Sequence, residues 1–260
     1  MLSSRLRGCA LNKKILLLVL AVTFAFSSLV IAQEEEFAMA NKFYADKDFD
    51  SAIRLYESTI NQGYESAPLY FNLGNAYFKK GDLGHAILNY LKAKRLDPSD
   101  EDIAHNLEFA QRFSRIQMEG VQLNPIEAFL SSLVDSYHLN SLAWISSIFF
   151  ILLIGVLIAR YGIGFNNALV RSGLIIALTL VVISSGLTTF KYRQEYLTKR
   201  GVIIAENSTV YTGPSEQSDV ELEGAPGLIV EILDDSGDYY NVLFENKRRG
   251  WVKKSIIAEI

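Results

Sequence analysis

The chain alternates between stretches of sustained apolar residues and stretches in which apolar and polar positions interleave. Three blocks, Ile15–Ala32, Leu142–Ala159 and Ser172–Phe190, contain no Asp, Glu, Lys or Arg. The second and third are long enough to cross a hydrocarbon core of roughly 30 Å as helices. Between the first and second blocks, apolar residues recur at intervals of three and four, the mark of amphipathic helices. From Gly201 the texture changes to short β-rich runs, Val202–Ala205, Leu228–Leu233, Tyr239–Phe244 and Gly250–Val252, separated by turn clusters such as 212–215 and 234–238. The pattern predicts an all-α part, two membrane helices and a small all-β part, with strand spacing that suits a barrel.

Residues 1–32 have the form of an export signal. Arg5, Arg7, Lys13 and Lys14 supply the positive region, Ile15–Phe26 the apolar core, and Val30-Ile31-Ala32 a small-residue cleavage site before Gln33. An uncleaved anchor over the same block is the alternative, and either form exports the chain from Gln33 onward. The span 141–160 would then enter from outside and the span 172–190 return, with a cytoplasmic loop at 161–171. Lys and Arg are absent from 120–140, which suits positive-inside orientation of the first span. Lys191, Arg193, Lys199 and Arg200 come after the second span on the outer side, against that rule; the signal and first span should fix orientation before the second inserts. Trp144, Tyr161 and Tyr192 fall near span ends, where amphipathic rings favour the interface. Neither apolar block, Leu142–Ala159 or Ser172–Phe190, holds an ionisable residue, which points to an anchor and away from ion or proton transport.

Within the juxtamembrane segment 114–140, Pro125 opens a stretch with Ile126, Phe129, Leu130, Leu133, Val134 and Tyr137 on one helical face, and Glu127, Ser131 and Asp135 on the other. Such a helix suits the membrane interface or a partner surface. The remaining divisions are a helical domain at 33–113, a linker at 191–200 and a C-terminal domain at 201–260.

Residues 37–64 and 71–98 repeat with a period of 34: Phe37/Phe71, Asn41/Asn75, Asp48/Asp82, Ala52/Ala86, Ile53/Ile87 and Tyr56/Tyr90 are identical, and Ala40/Gly74 and Phe43/Tyr77 are close. Small residues at two points with aromatics between them let paired helices approach closely. A 34-residue period of this kind resembles the tetratricopeptide family. Asp97-Pro98 closes the second unit, and Glu101–Phe113 looks like the first helix of a third. Since such units cannot bury their faces alone, that helix caps the array, or a partner completes the stack.

The resemblance implies a peptide groove on the concave face, built here from Phe37, Asn41, Tyr44, Phe71, Asn75, Phe78, His105 and Phe109. Asn41 and Asn75 hold the family's backbone-binding asparagine position. Phe37 and His105 stand where a carboxylate clamp would place cations, so the expected ligand is an internal, partly apolar segment. The alternative is that these aromatics are buried against the juxtamembrane helix.

In the C-terminal domain, the order Asn207, Val210, Gly213-Pro214-Ser215, Gly227 and finally Arg249-Gly250-Trp251-Val252 resembles the bacterial Src-homology-3-like domain. Relatives of that kind bind cell-wall peptides or proteins, which makes Tyr211, Tyr239, Tyr240 and Trp251 the candidate contacts. Trp251 could equally serve the core.

Composition narrows the chemistry. Half of the 260 residues are apolar, and the mean hydropathy of +0.17 is high for a soluble domain. Both polar parts are acidic: residues 33–113 carry 9 Lys/Arg against 14 Asp/Glu, and residues 201–260 carry 5 against 11. Nucleic acid is therefore a poor partner. The single cysteine, Cys9, precedes the first apolar block, so disulfides and thiol chemistry are not expected beyond it. His85, His105 and His138 form no metal-ligand spacing, and no serine elbow or phosphate loop occurs. No catalysis, metal or cofactor is expected.

The module order, an export signal, tetratricopeptide repeats, a two-helix hairpin and a Src-homology-3-like barrel, resembles the BatE family of bacterial aerotolerance operons. That resemblance implies a noncatalytic scaffold in the inner membrane, with both polar domains in the periplasm. Its implied partners are von Willebrand factor A-type membrane proteins and a MoxR-type ATPase system, working in envelope-stress tolerance. The alternative function is peptidoglycan binding through the C-terminal domain.

Overall fold

A computed structural model describes residues 34–115, 125–206 and 208–260. The expected export segment 1–32, with Cys9, and Asn207 lie outside them. The first part is helical: α1 (34–45), α2 (Phe49–Asn61), α3 (Ala67–Lys80), α4 (Leu83–Leu96) and α5 (Glu101–Arg115). Short polar side chains start four of these. Asp48, Ser66, Asp82 and Asp100 accept hydrogen bonds from first-turn N–H groups of α2, α3, α4 and α5, which otherwise have no intrahelical partner.

The period of 34 is reproduced in the turns. Lys47 and Asp48 N–H donate to the Tyr44 and Phe43 carbonyls, and 34 residues on Gly81 and Asp82 N–H donate to Phe78 and Tyr77. Both turns place their first residue in the left-handed region, Lys47 at φ 64° and Gly81 at φ 91°, the usual way for a helix to end. Between the helices, Ala40, Ala52 and Ala86 are fully buried. A Cβ on Gly74 would lie 2.8 Å from the Tyr90 ring, so the aromatic fills the space that the small residue leaves.

The C-terminal part is an antiparallel sheet of seven strands: β1 (Arg200–Ile203), β2 (Ser208–Tyr211), β3 (Val220–Gly224), β4 (Ile229–Ser236), β5 (Tyr239–Phe244), β6 (Arg249–Lys253) and β7 (Ile257–Glu259), in the order β3-β2-β6-β5-β4-β1-β7. The sheet is open, with β3 and β7 as its edges, and does not form the expected barrel. Three of the strands, β2, β3 and β7, are too short or too polar to stand out as β-runs. The expected turn at 234–238 contracts to Gly237-Asp238, because Asp234–Ser236 continue β4 past a bulge.

The end of the sheet is turned onto the helices. Val202 is fully buried in the cluster that contains Ile87 and Leu88 of α4, while its neighbour Ile203 is fully buried among Val230, Val242 and Phe244. Adjacent strand residues point to opposite faces, so β1 is covered on both. Ile204, Ile229, Ala258 and Ile260 join the helical side. Helix α4 is correspondingly buried around most of its circumference, at Gly84, Ala86, Ile87, Leu88, Asn89, Tyr90 and Ala93. The third unit has only α5, and the exposed flank of this short array is covered by the sheet within the same chain. Full burial of a side chain such as Val202 is worth roughly 1.5–3 kcal/mol.

The remaining helices are α6 (Pro125–Val134), α7 (Leu139–Leu157) and α8 (Ala168–Tyr192), the last two prolonged by π-helical turns at Ile158–Gly162 and Arg193–Leu197. Helices α7 and α8 are long and apolar enough to cross a membrane, at 24 and 30 residues including the π turns. They extend past the expected spans and leave a shorter connection. Their apolar side chains are mostly exposed, unlike a soluble core. Ser146 and Thr188 hydroxyls join the two helices at 3.0 Å, a polar contact typical of helix pairs in lipid.

Candidate functional site

The inner faces of α1, α3 and α5 carry a hydrogen-bond ladder with the same 34-residue period. The Tyr56 hydroxyl donates to Asn41 Oδ1 at 2.7 Å, and Asn72 Nδ2 donates to the same oxygen at 2.9 Å. One unit later, the Tyr90 hydroxyl and Asn106 Nδ2 donate to Asn75 Oδ1 at 2.7 and 2.9 Å. An amide oxygen has two acceptor sites, and in both asparagines these are filled from inside. What each has left is its NH2 group, with no acceptor in reach among the described residues. Burial pushes both tyrosine hydroxyls far above the usual tyrosine range, so they remain donors and hold the amides in this orientation.

Around the ladder lie the predicted aromatics. Phe37 leans on Tyr56 with centroids 5.9 Å apart and Phe71 on Tyr90 at 6.0 Å; both are half-buried. Tyr44 meets Phe49 edge-on at 5.6 Å. Phe78 packs against Phe109 and Phe113 at 5.7 and 6.1 Å, and those two meet at 5.3 Å. Phe109 and Phe113 are 45% and 52% exposed, so the array ends in an open aromatic patch. A cavity of about 210 Å³ lies beside it, between Phe78, Gly81, Leu83 and Phe113. His105 is exposed on the same helix. The alternative fate of these rings is not observed: α6 packs against α8, with Val134 fully buried and Ile126, Phe129, Leu133 and Tyr137 exposed.

Sequence reasoning missed Asn72, Asn106 and Phe113. The first two are themselves 34 residues apart, and Phe113 stands one turn beyond Phe109, so each carried a periodic signal.

In the sheet, three of the four aromatics come together. Tyr211 pairs directly with Trp251 across β2 and β6, and Trp251 opposes Asn241, two residues from Tyr239. This puts Tyr211, Trp251 and Tyr239 on one face, with Tyr211 and Tyr239 edge-to-face at 6.1 Å. Trp251 is half-buried and Tyr239 buried. Tyr240 belongs to the other face, where its hydroxyl donates to Glu259 at 2.5 Å and the Lys254 ammonium sits 5.0 Å from its ring. The side-chain hydrogen bond with Glu259 raises the Tyr240 pKa. A cavity of about 500 Å³ adjoins Tyr239, rimmed by Glu216, Lys253 and Asp238.

His85 bonds Asp82 at 2.8 Å and stacks on Tyr77 at 4.9 Å, a packed position within the second unit. Among the described residues no cluster of three His, Cys, Asp or Glu side chains has metal-binding geometry.

Comparison with known proteins bears on the repeats. The tetratricopeptide repeat family model matches residues 67–100, the second unit from the start of α3 to the cap of α5. No curated protein matches the chain. Tetratricopeptide repeats mediate protein–protein interactions, so the match supports a protein-interaction scaffold.

Proposed function

We propose that the protein is a membrane-anchored, noncatalytic scaffold whose concave repeat face holds an extended, partly apolar segment of another protein. The observation that carries this is the fixed orientation of the Asn41 and Asn75 amides. Their oxygens are occupied from within, and their NH2 groups are left to donate to backbone carbonyls of a bound strand. Phe78, Phe109 and Phe113 supply apolar contact at one end. Helices α7 and α8 form the anchor, with α6 lying in the interface on its exposed apolar face.

The resemblance to the BatE family supports a finer reading. The chain is exported, both polar domains face the periplasm of the inner membrane, and the bound segment belongs to a von Willebrand factor A-type protein of an envelope-stress complex served by a MoxR-type ATPase. The test replaces Asn41 and Asn75 by Asp, which keeps the internal acceptors and removes the outward donors. Co-purification of the partner should fall at least tenfold while the helical melt persists; unchanged co-purification sinks the proposal.

The shared face of Tyr211, Tyr239 and Trp251 favours a second reading, binding of cell-wall peptide. Because Val202 and Ile204 are packed on the helices, the full chain and not the isolated sheet is the proper material. It should sediment with purified peptidoglycan and cease to do so on Trp251→Ala.

A further inference from the structure

A cavity inside the joint between the modules is used by neither reading. It encloses about 280 Å³ where the ends of α4 and α5, the segment after α6, the end of α8 and the start of β1 converge, a little below the ~300–1,000 Å³ of small-molecule sites. Its charged lining is Lys94, Arg95, Lys191 and Arg200 against Asp135 and Glu195. Four cationic side chains thus face two carboxylate side chains.

The internal pairing does not remove that excess. Lys191 is almost fully buried and paired with Glu195 at 3.1 Å. The Arg95 guanidinium lies over the Tyr196 ring at 5.8 Å. Lys94 and Arg200 have no carboxylate within ion-pair distance among the described residues, although both are partly withdrawn from solvent. Holding like charges around one cavity is unfavourable unless an anion enters. Gln111, Gln194 and Thr198 add neutral hydrogen-bonding groups, and Leu91, Leu107 and Ile229 an apolar wall. Lys191, Gln194 and Glu195 belong to the end of the α8 span, so the cavity opens at the level where a bilayer would present its headgroups. Basic pockets at such levels recognise phosphate-bearing lipids.

We propose that this cavity binds a phosphate-class anion, with Lys94 and Arg200 as its free cations and the Lys191–Glu195 pair as its floor. The source that suits an apolar wall beside a membrane helix is the headgroup of an anionic phospholipid; a soluble phosphate would use the same cations. The inference rests on α7 and α8 being membrane-embedded, which alkaline extraction of membranes checks separately: release of the chain would overturn the anchor without touching the cavity's charge.

The test uses the full chain purified in mild detergent and stripped of lipid. Phosphatidylglycerol, phosphatidylcholine and inorganic phosphate are titrated separately, by native mass spectrometry and thermal shift. Phosphatidylglycerol should bind at least tenfold more tightly than phosphatidylcholine, and Lys94→Gln with Arg200→Gln should erase that preference. Lys79→Gln, on the outer end of α3, should leave it intact. Stabilisation by inorganic phosphate alone, lost in the same double variant, would keep the anion site and assign it to a soluble ligand. Equal binding of all probes, or full retention of the preference by a folded double variant, overturns the proposal.

Discussion

Gly84 and Ile204 meet backbone to backbone: a Cβ on Gly84 would lie 2.6 Å from the Ile204 Cα and 2.8 Å from its carbonyl oxygen. No flexible side chain could move aside there, so contact between the repeats and the sheet depends on a hydrogen at this position. Gly84→Val should therefore separate the modules. Overpacking of this kind typically costs about 1–3 kcal/mol, read as a lower melting temperature and as faster protease cleavage near 200–206. A variant with unchanged cleavage would show that the joint can relax.

Lys47 occupies in the first turn the left-handed position that Gly81 holds in the second. That conformation costs a residue with a Cβ about 1–2 kcal/mol, part of which glycine gives back through its freer unfolded chain. Lys47→Gly should raise stability by about 0.5–1 kcal/mol in denaturant titration. The converse change, Gly81→Lys, should lower it.

The two asparagine ladders share no residue. Tyr56→Phe and Tyr90→Phe each remove one donor and leave one acceptor site on Asn41 or Asn75 unfilled, at about 1 kcal/mol apiece. The double variant should lose the sum to within about 0.5 kcal/mol. A large non-additive term would mean that the units melt as one network.

Asp82 caps α4 and bonds the His85 ring. Burial alone would raise its carboxyl pKa, but the side-chain and backbone hydrogen bonds from His85, with the charges of His85 and Lys80, outweigh it and hold the group below the usual carboxylate range. A depressed folded pKa means stability that is present above the unfolded value, near pH 4, and lost as pH falls through the folded one. Asp82→Ala should thus cost about 1 kcal/mol at neutral pH, with the gap from the parent narrowing in acid melts. A gap that widened below pH 4 would reverse the sign.

Much of the helical part was legible because its signals are periodic. Caps, small residues and aromatics recur at 34, and the groove residues Asn41 and Asn75 fall out of the same comparison. The orientation of their amides did not, since it depends on Asn72 and Asn106, which reach in from the next helix. In the sheet, Tyr239–Phe244 stood out by its aromatic and β-branched run and matches β5 residue for residue. Strand β3, with Glu221 and Glu223, reads as loop until pairing with β2 explains it. The joint between modules escaped for a different reason. The unbroken apolar run Val202-Ile203-Ile204 reads only as a short β-run, and nothing local says that it is buried on both sides or that the second side belongs to helices on the far side of two membrane-length segments.

That joint constrains how the chain can be threaded. Helix α4 precedes both long apolar helices and β1 comes after both, yet they touch; a chain so connected can cross a bilayer only an even number of times between them. The sheet must also come last. Repeats made first present a waiting apolar flank, and on the proposed anchoring by α7 and α8 the strand β1 can reach it only after both helices are inserted. A hairpin arrested halfway would strand the sheet in the opposite compartment, leaving Ile87 and Leu88 bare.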